Sequence, residues 1–316
     1  MIQIVVTPGS GAGRAGDTAK QVRRELERRG RPARVARFHG LRRLSRWSNT
    51  CPRDFSHLIT IGGDATMSAA APAAIRHRVP LLPVPCGFGN LFARTFGHTD
   101  DIERLLQALD GNEIVWVDAG TRHGNVFLCH ESFGPLDDIQ NEVEQGRGQP
   151  KTRLLRWLAY YRMGVRFVGR ALPSSIRVEV DGAVVARRAV LVTVANVRAY
   201  GEFLPLTPDA SPMDGLLDVF VIPRTGRLGF WTRLIKLLLH IRPRGEEVII
   251  RRGRRVSVGR SRRGPMEEIR VMPAVLPVLV APGWRTPAAP EGAAIGAHDE
   301  PVQRDTAADQ DVALRR

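Results

Sequence analysis

Three glycine-rich turns carry the residues whose types and spacing could do chemistry. Each turn directly follows an apolar, strand-like run, and in a parallel sheet all three would meet at the carboxyl edge, where open α/β sheets bind ligands. Glycine lets the backbone approach a phosphate closely, and amides that enter a helix attract anions. The spacing therefore predicts a nucleotide phosphate site. Its predicted residues are Thr7, Gly9, Ser10, Gly11 and Gly13 in the first turn, Gly62, Gly63, Asp64 and Thr66 in the second, and Gly87, Phe88, Gly89 and Asn90 in the third.

Asp64 is the acidic residue of the second turn. A carboxylate at the end of a buried strand can hold Mg²⁺ through water or act near a transferring phosphate. It can also cap the helix predicted to run from Thr66, and the two roles can coexist. The first turn is not a Walker A loop, because Arg14 rather than a lysine follows its glycines.

Three runs of sequence carry a resemblance to a known family. Residues 62–66 read Gly-Gly-Asp-Ala-Thr, residues 85–94 read Pro-Cys-Gly-Phe-Gly-Asn-Leu-Phe-Ala-Arg, and residues 208–219 read Pro-Asp-Ala-Ser-Pro-Met-Asp-Gly-Leu-Leu-Asp-Val. In this order they resemble the diacylglycerol kinase catalytic family, which includes bacterial lipid kinases and sphingosine kinases. The resemblance extends from Thr7 to about Pro282 and covers nearly all of the globular part.

The resemblance implies a lipid kinase that transfers the γ-phosphate of ATP to a lipid hydroxyl, with Mg²⁺ as a further cofactor. It implies catalytic roles for Asp64 and Asp118, with Asp64 also as a metal ligand, and it places Asp137 and Asp138 at the lipid headgroup. Two alternatives stay open. One is a catalytically impaired pseudokinase that binds nucleotide or lipid, and the other is an NAD kinase-like enzyme, which shares the Gly-Gly-Asp turn.

Several residues depart from the family pattern. Ala65 replaces a glycine, Phe88 replaces a threonine and Leu91 replaces an aspartate. A positive φ at Ala65 would also strain the backbone. The Asp-Gly-Glu that family members carry between two late strands corresponds to residues 258–262, and that stretch has no acid. We interpret the glutamates at 267–268 as charges at a strand edge, so the losses predict weak or undetectable lipid phosphorylation.

Charge is the most unusual property of the composition. The chain of 316 residues has a formal net charge of +15 and a pI near 11.1. Such a surface favours anionic partners, and we expect a lipid substrate at an anionic membrane surface. We expect no nucleic acid partner, because zinc-finger and RNA-binding patterns are absent from the sequence. The oligomeric state stays open.

The cysteines and the N-terminus bear on the expected location. The three cysteines lack metal-ligand or disulfide spacing, and no secretory signal is evident. We expect a cytoplasmic protein that associates peripherally with membrane. Residues 227–244 combine apolar and basic residues at helical spacing, so this stretch could lie on an anionic membrane or pack into its own domain.

The order of elements predicts an α/β fold, in which an N-terminal Rossmann-like parallel-sheet domain is followed by a mainly antiparallel β domain. Strand-like runs alternate with helical patterns up to about residue 117, and short β-like runs follow, interrupted by a helical stretch at Lys151–Leu172. We expect a nucleotide-binding domain over residues 1–118, a β-rich lipid-substrate domain over 119–284 and a disordered tail over 285–316.

Overall fold

The computed structural model describes residues 1–87, 89–134, 176–198, 206–238, 247–259 and 265–286. Within it, residues Met1–Arg285 form one compact unit. Some features predicted from the sequence lie outside the described residues. They are Phe88, Asp137, Asp138, the helical stretch at Lys151–Leu172 and nearly all of the tail at 285–316.

Four parallel strands form the N-terminal part of the sheet. They are β1 Ile2–Val6, β2 Ala33–Arg37, β3 His57–Gly62 and β4 Leu81–Pro85, in the order β4-β3-β1-β2. β1 and β4 are buried along their full length, as expected for continuous apolar strands that helices cover on both faces. β2 lies at the edge of the sheet and is less buried. The predicted parallel beginning of the fold is confirmed.

Helices cover both faces of these strands. In the first described ranges they are α1 Arg14–Arg28, α2 Leu41–Thr50, α3 Asp64–His77, α4 Leu91–Thr95 and α5 Ile102–Gly111. Apolar residues of α1 and α5 pack on one face of the sheet, and those of α2 and α3 pack on the other. The carboxyl ends of β1, β3 and β4 therefore lead directly into the turns before α1, α3 and α4.

Some helix bounds differ from those expected. α3 begins at Asp64 rather than near Met67, so the second glycine turn is the start of the helix itself. The N-cap of α5 is Asp101 and not Asp100, because the Asp101 carboxylate accepts hydrogen bonds from the amides at 103 and 104. α2 was not predicted from the sequence. Only Leu44 and Ser48 of its ten residues are buried, and exposed arginines occupy much of the rest, so its apolar pattern is weak.

The second part of the sheet is antiparallel, which confirms the predicted change from a parallel to a mainly antiparallel arrangement of strands. Its strands are β5 Ile114–Arg122, β6 Asn125–Phe127, β7 His130–Phe133, β8 Ile176–Val180, β9 Ala183–Ala195, β10 Leu217–Pro223, β11 Ile249–Gly253, β12 Arg255–Gly259 and β13 Met266–Leu279. A helix, α6 Arg227–Leu238, follows β10. The sequence had been interpreted without β12 and with β13 as two strands.

The long strand β13 joins the two parts into one sheet of order β11-β10-β9-β8-β12-β13-β4-β3-β1-β2. Its first residues pair with β12, and near its end Val278 lies opposite Leu81 of β4. It also pairs with β5, with an irregularity between Met272 and Leu276. The predicted boundary at residue 118 falls inside β5, and the division into domains stays a prediction.

α6 is anchored to its own part of the fold. Phe230 is buried among residues of β9 and β10. Arg233 Nη1 donates a hydrogen bond to Pro223 O at 3.3 Å. Lys236 Nζ lies 2.5 Å from Glu247 Oε1. These contacts tie one side of the helix to its own part of the fold, while Leu228 and Ile235 are exposed. None of the helices in the described ranges is long and apolar enough to cross a membrane.

Candidate nucleotide site

The three glycine turns lie together at the carboxyl edge of the parallel strands, and their backbones are in close contact. A Cβ on Gly11, whose φ is +62°, would lie 2.1 Å from the Cys86 carbonyl oxygen. A Cβ on Gly87 would lie 2.5 Å from the Gly63 Cα. Contact between the turns therefore leaves no room for a side chain at residues 11 and 87.

Two helices begin at these turns with a glycine at the N-cap. Gly13 precedes α1, after a short 3₁₀ turn that starts at Ser10, and Gly63 precedes α3. Glycine has no side chain that could cap the first-turn amides. The Arg14 amide donates to the Ser10 and Gly11 carbonyls and the Thr66 amide to the Gly63 carbonyl, so the remaining first-turn amides are those that can meet an anion. A Cβ on Gly9 or Gly13 would meet no atom within 4 Å. The amides, the helix dipoles and the open space together suit a phosphate.

Asp64 is the first residue of α3, but its carboxylate caps a different helix. Oδ2 accepts a hydrogen bond from the Leu91 amide at 3.1 Å, and Oδ1 accepts one from the Phe92 amide at 3.0 Å. Burial raises the pKa of Asp64, while the amides of Phe92 and Leu91 oppose that rise. The structure corrects the expectation that Asp64 caps its own helix: it caps α4 and joins the second turn to the third.

The residues around Asp64 leave little room. A Cβ on Gly89 would lie 3.3 Å from Asp64 Oδ2.

Ala65 is exposed in the first turn of α3 and is not among the residues with positive φ. The backbone strain considered for Ala65 from the sequence is therefore absent.

Polar side chains connect other predicted residues. Asn90 closes the third turn, because its Oδ1 accepts a hydrogen bond from the Gly87 amide at 2.7 Å and its Nδ2 donates to the Gly87 carbonyl at 3.0 Å. Thr66 Oγ1 donates to Thr7 Oγ1 at 3.3 Å, which links the second turn to the first. These side chains fix the relative positions of the turns.

Asp118 is buried, with 2% of its surface exposed, and backbone amides occupy its carboxylate. Oδ2 accepts from the Gly215 amide at 2.7 Å, and Oδ1 accepts from the Ala274 amide at 2.7 Å. Burial raises the pKa of Asp118, and these amides oppose the rise. The carboxylate fastens the loop before β10 and the bend in β13. The catalytic role expected for Asp118 from the sequence stays a prediction beside this structural one.

The run at 208–219 contains a buried acid, Asp218, which forms an ion pair with Arg252 of β11. Arg252 Nε donates to Asp218 Oδ1 at 3.0 Å, and its Nη2 donates to the Asp209 carbonyl at 2.8 Å. Asp218 is 1% exposed, and its Oδ2 has no hydrogen-bond partner among the described residues. Burial raises the pKa of Asp218 to about 6, against the effect of Arg252. Sequence reasoning missed this pair, because its members belong to different strands.

Sequence profiles of two domains match the chain in succession. The diacylglycerol kinase catalytic domain matches residues 1–121, and the YegS C-terminal NAD kinase beta sandwich-like domain matches residues 142–282. Together they account for most of the chain, in the order that the three sequence runs indicated. The chain therefore carries a diacylglycerol kinase catalytic domain, followed by a YegS-like C-terminal domain.

Individual relatives of the same family were also found. The chain is 28% identical over 181 residues to a diacylglycerol kinase of Bacillus subtilis (strain 168), which covers 56% of this chain and 58% of that protein. It is 24% identical over 174 residues to a diacylglycerol kinase of Staphylococcus aureus (strain JH9), which covers 54% of each. The matched region thus spans little more than half the length of these relatives.

A solved structure shows the same fold. It is a diacylglycerol kinase from Bacillus anthracis str. Sterne, with a TM-score of 0.66, 18% sequence identity, and coverage of 89% of this chain and 97% of that chain. At this identity the likeness establishes the fold alone. The activity of this chain must be argued from its own residues.

The described residues do not form a complete set of side-chain ligands for a metal ion, whereas Mg²⁺ is ordinarily held by one or two carboxylates together with substrate phosphates. No group of three His, Cys, Asp or Glu side chains within the described ranges could hold a metal ion. Leu91 stands where the family has an aspartate, and both oxygens of Asp64 accept backbone amides. The metal role expected for Asp64 is therefore not supported by a complete set of ligands, and we derive no step through the ion.

Glu267 is held by ion pairs at the start of β13. Its Oε2 lies 2.6 Å from Arg122 Nη2 and 3.1 Å from His123 Nε2. Arg122 Nη1 also donates to Glu131 at 2.6 Å. A cavity of about 330 Å³ opens beside them, between the turn after β5 and β13. These contacts agree with the interpretation of Glu267 as a strand-edge charge, and residues 260–264 lie outside the described ranges.

The cap formed by Asp64 predicts a loss of stability in Asp64→Asn. The asparagine oxygen can accept one of the two amides, but its NH₂ group cannot accept the other. We expect a loss of about 1–3 kcal/mol in the free energy of unfolding, measured by urea denaturation. Asp17→Asn is the matched control, because Asp17 lies in the first turn of α1 and is exposed. An equal effect of the two substitutions would contradict the cap.

The raised pKa of Asp218 predicts a pH dependence of stability. A folded-state pKa of about 6, against 3.8 for the ordinary group, means that the native state binds the proton more tightly. The contribution of this group to stability is therefore fully present below pH 3.8 and is lost as the pH rises through about 6. Asp218→Asn should remove this slope from the unfolding free energy measured across that range. An unchanged slope in the variant would show that another group titrates.

Proposed function

We propose that this chain is a lipid kinase of the diacylglycerol kinase family, which binds ATP at the three glycine turns and phosphorylates a lipid hydroxyl at a low rate. The observation that carries the proposal is the pair of glycine-capped helix starts at Gly13 and Gly63, on one edge of the sheet. Backbone amides at such positions bind phosphate without a lysine. The family membership supplies the reaction class.

The proposed reaction needs binding, alignment and one proton transfer. The triphosphate lies against the first-turn amides of α1 and α3, whose dipoles offset part of its charge. The lipid oxygen forms a bond to the γ-phosphorus while the bond to the bridging β–γ oxygen breaks, which gives ADP and a lipid phosphate. The hydroxyl proton must also leave. We assign no described acidic residue as its acceptor, and a missing general base typically costs about 10²–10⁴-fold in rate.

A pseudokinase that binds nucleotide or lipid without transfer is the second candidate. The hydrogen bonds of Asp64 favour it, because a carboxylate engaged with the amides of α4 is less available to a metal or a reacting group. An NAD kinase-like activity is tested beside it, since the profile that matches residues 142–282 is described as NAD kinase beta sandwich-like. Direct assays separate these three outcomes.

Gly9→Ala tests the location of the nucleotide. Gly9 has a φ of −73° and open space around it, so alanine fits the fold but occupies the room beside the amides. We expect ATP affinity to fall about tenfold or more, measured by titration calorimetry, with an unchanged melting temperature. Gly111→Ala at the end of α5 is the matched control, since its surroundings are also open. Wild-type affinity in Gly9→Ala would exclude the first turn.

Transfer is tested with γ-labelled ATP and a choice of acceptors. We expect slow labelling of a diacylglycerol or a sphingoid base and none of NAD. Glu267→Gln should keep this rate, because Glu267 is held by Arg122 and His123, and Glu268→Gln serves as its matched control. Fast labelling that Glu267→Gln alone abolishes would identify a displaced catalytic acid. Bound ATP without any labelled lipid would select the pseudokinase.

A further inference from the structure

The distribution of charge along β2 and α2 is unusual even for this basic chain. Between Glu27 and Asp54 the sequence has nine arginines and no acidic residue. They are Arg28, Arg29, Arg31, Arg34, Arg37, Arg42, Arg43, Arg46 and Arg53. Charge on an edge strand discourages pairing between sheet edges, which accounts for arginines on β2 but not for those on α2.

Eight of these arginines fall into two groups, and the ninth, Arg53, is exposed after the end of α2. The earlier ones are neutralised within the fold: Arg31 pairs with Asp110 at 2.7 Å, and Arg34 pairs with Asp54 at 3.0 Å. In contrast, four side chains are exposed and make no ion pair or side-chain hydrogen bond within the described ranges. They are Arg37, Arg42, Arg43 and Arg46.

Packing explains why the three arginines of α2 face outward. Leu44 and Ser48 are buried on the inner side of α2, and Ser48 Oγ donates to the Ala69 carbonyl of α3 at 2.7 Å. The helix is therefore fixed, and its arginines are left exposed. Near them in sequence, Phe38 and Trp47 are half-buried against the core, with ring centroids 5.4 Å apart.

This surface begins at the edge that carries the glycine turns. β2 is parallel to β1, so both strands end at the same side of the sheet. The Phe38 amide donates to the Val6 carbonyl at 2.9 Å, directly before the first turn. α2 starts two residues later, after Gly40. A partner that covers the start of α2 therefore comes close to the candidate nucleotide site.

We infer that this surface docks on an anionic lipid bilayer. We call it the α2 face, and its residues are Arg37, Phe38, Arg42, Arg43, Arg46 and Trp47. Its unpaired cations complement anionic headgroups, and its half-buried aromatic rings suit the membrane–water interface. The choice of a bilayer over another polyanion rests on the proposed function, because a lipid kinase meets its substrate there. α6 is a poorer candidate, since Lys236 is paired with Glu247 and Arg233 with a carbonyl.

The test compares two triple variants in vesicle co-sedimentation without nucleotide. In the α2 variant, Arg42→Gln, Arg43→Gln and Arg46→Gln remove three cations of the α2 face. In the control, Arg23→Gln, Arg24→Gln and Arg28→Gln remove the same charge from α1, which packs on the opposite face of the sheet. Each arginine near an anionic leaflet contributes about fivefold in partitioning, so we expect a loss on the order of 100-fold for α2 and much less for α1.

The vesicles are phosphatidylcholine alone and phosphatidylcholine mixed with phosphatidylserine. Binding of the wild-type chain should require phosphatidylserine and weaken with salt. In wild-type protein, hydrogen exchange at residues 37–46 should slow on the anionic vesicles while exchange in α1 stays unchanged, which tests the face without a variant. Equal losses in both triple variants, or no binding to anionic vesicles, would overturn the proposal.

Two further arms identify the occupant and separate this inference from the kinase proposal. Tighter binding to a polynucleotide than to anionic vesicles, lost in the α2 variant, would replace the bilayer with nucleic acid. Because sedimentation needs neither ATP nor turnover, an inactive wild-type chain that still binds through the α2 face would sustain the docking surface and refute only the kinase.

Discussion

The close contact between the Gly63 and Gly87 backbones is the constraint on which the candidate site depends. It lets α3 and α4 begin side by side at the ends of adjacent strands, near enough for the Asp64 carboxylate to reach the α4 amides at 3.0–3.1 Å. A side chain at Gly87 would push the turns apart and break this cap. Because the Asp64 carboxylate accepts these amides, it is less available for other chemistry. The close contact that brings the glycine turns together therefore also limits what Asp64 can do.

The buried acids of the second part follow the same logic. Asp118 bridges two backbone amides from distant loops, and Asp218 meets Arg252 across neighbouring strands. A buried carboxylate must find such partners, because an unpaired charge in the interior is costly. The acids that this chain retains in the described ranges therefore act as connections between loops. The acidic positions it has lost, at Leu91 and in the stretch 258–262, are those the family resemblance linked to metal and phosphate transfer.

The sequence predicted features that depend on neighbouring residues and missed contacts between residues that are far apart in the chain. β1 and β4 are continuous apolar runs, and the turns contain glycines where backbones touch, so both could be read from neighbouring residues. α2 was missed because its buried stripe is narrow beside its arginines. The partners of Asp118 lie 97 and 156 residues along the chain, and no periodicity indicates such pairs. Family resemblance supplied a catalytic role for Asp118, whereas its structural role is visible only in its burial and hydrogen bonds.

Electrostatics links the candidate site to its surroundings. Helix N-termini without side-chain caps attract a phosphate locally, within the first turn. The unneutralised arginines of α2 act over a longer range, about a Debye length of 8–10 Å at physiological salt, and so bring anionic surfaces to the same sheet edge. Neither effect requires a general base or a metal ligand. Attraction of phosphates therefore does not depend on the acidic positions that this chain lacks.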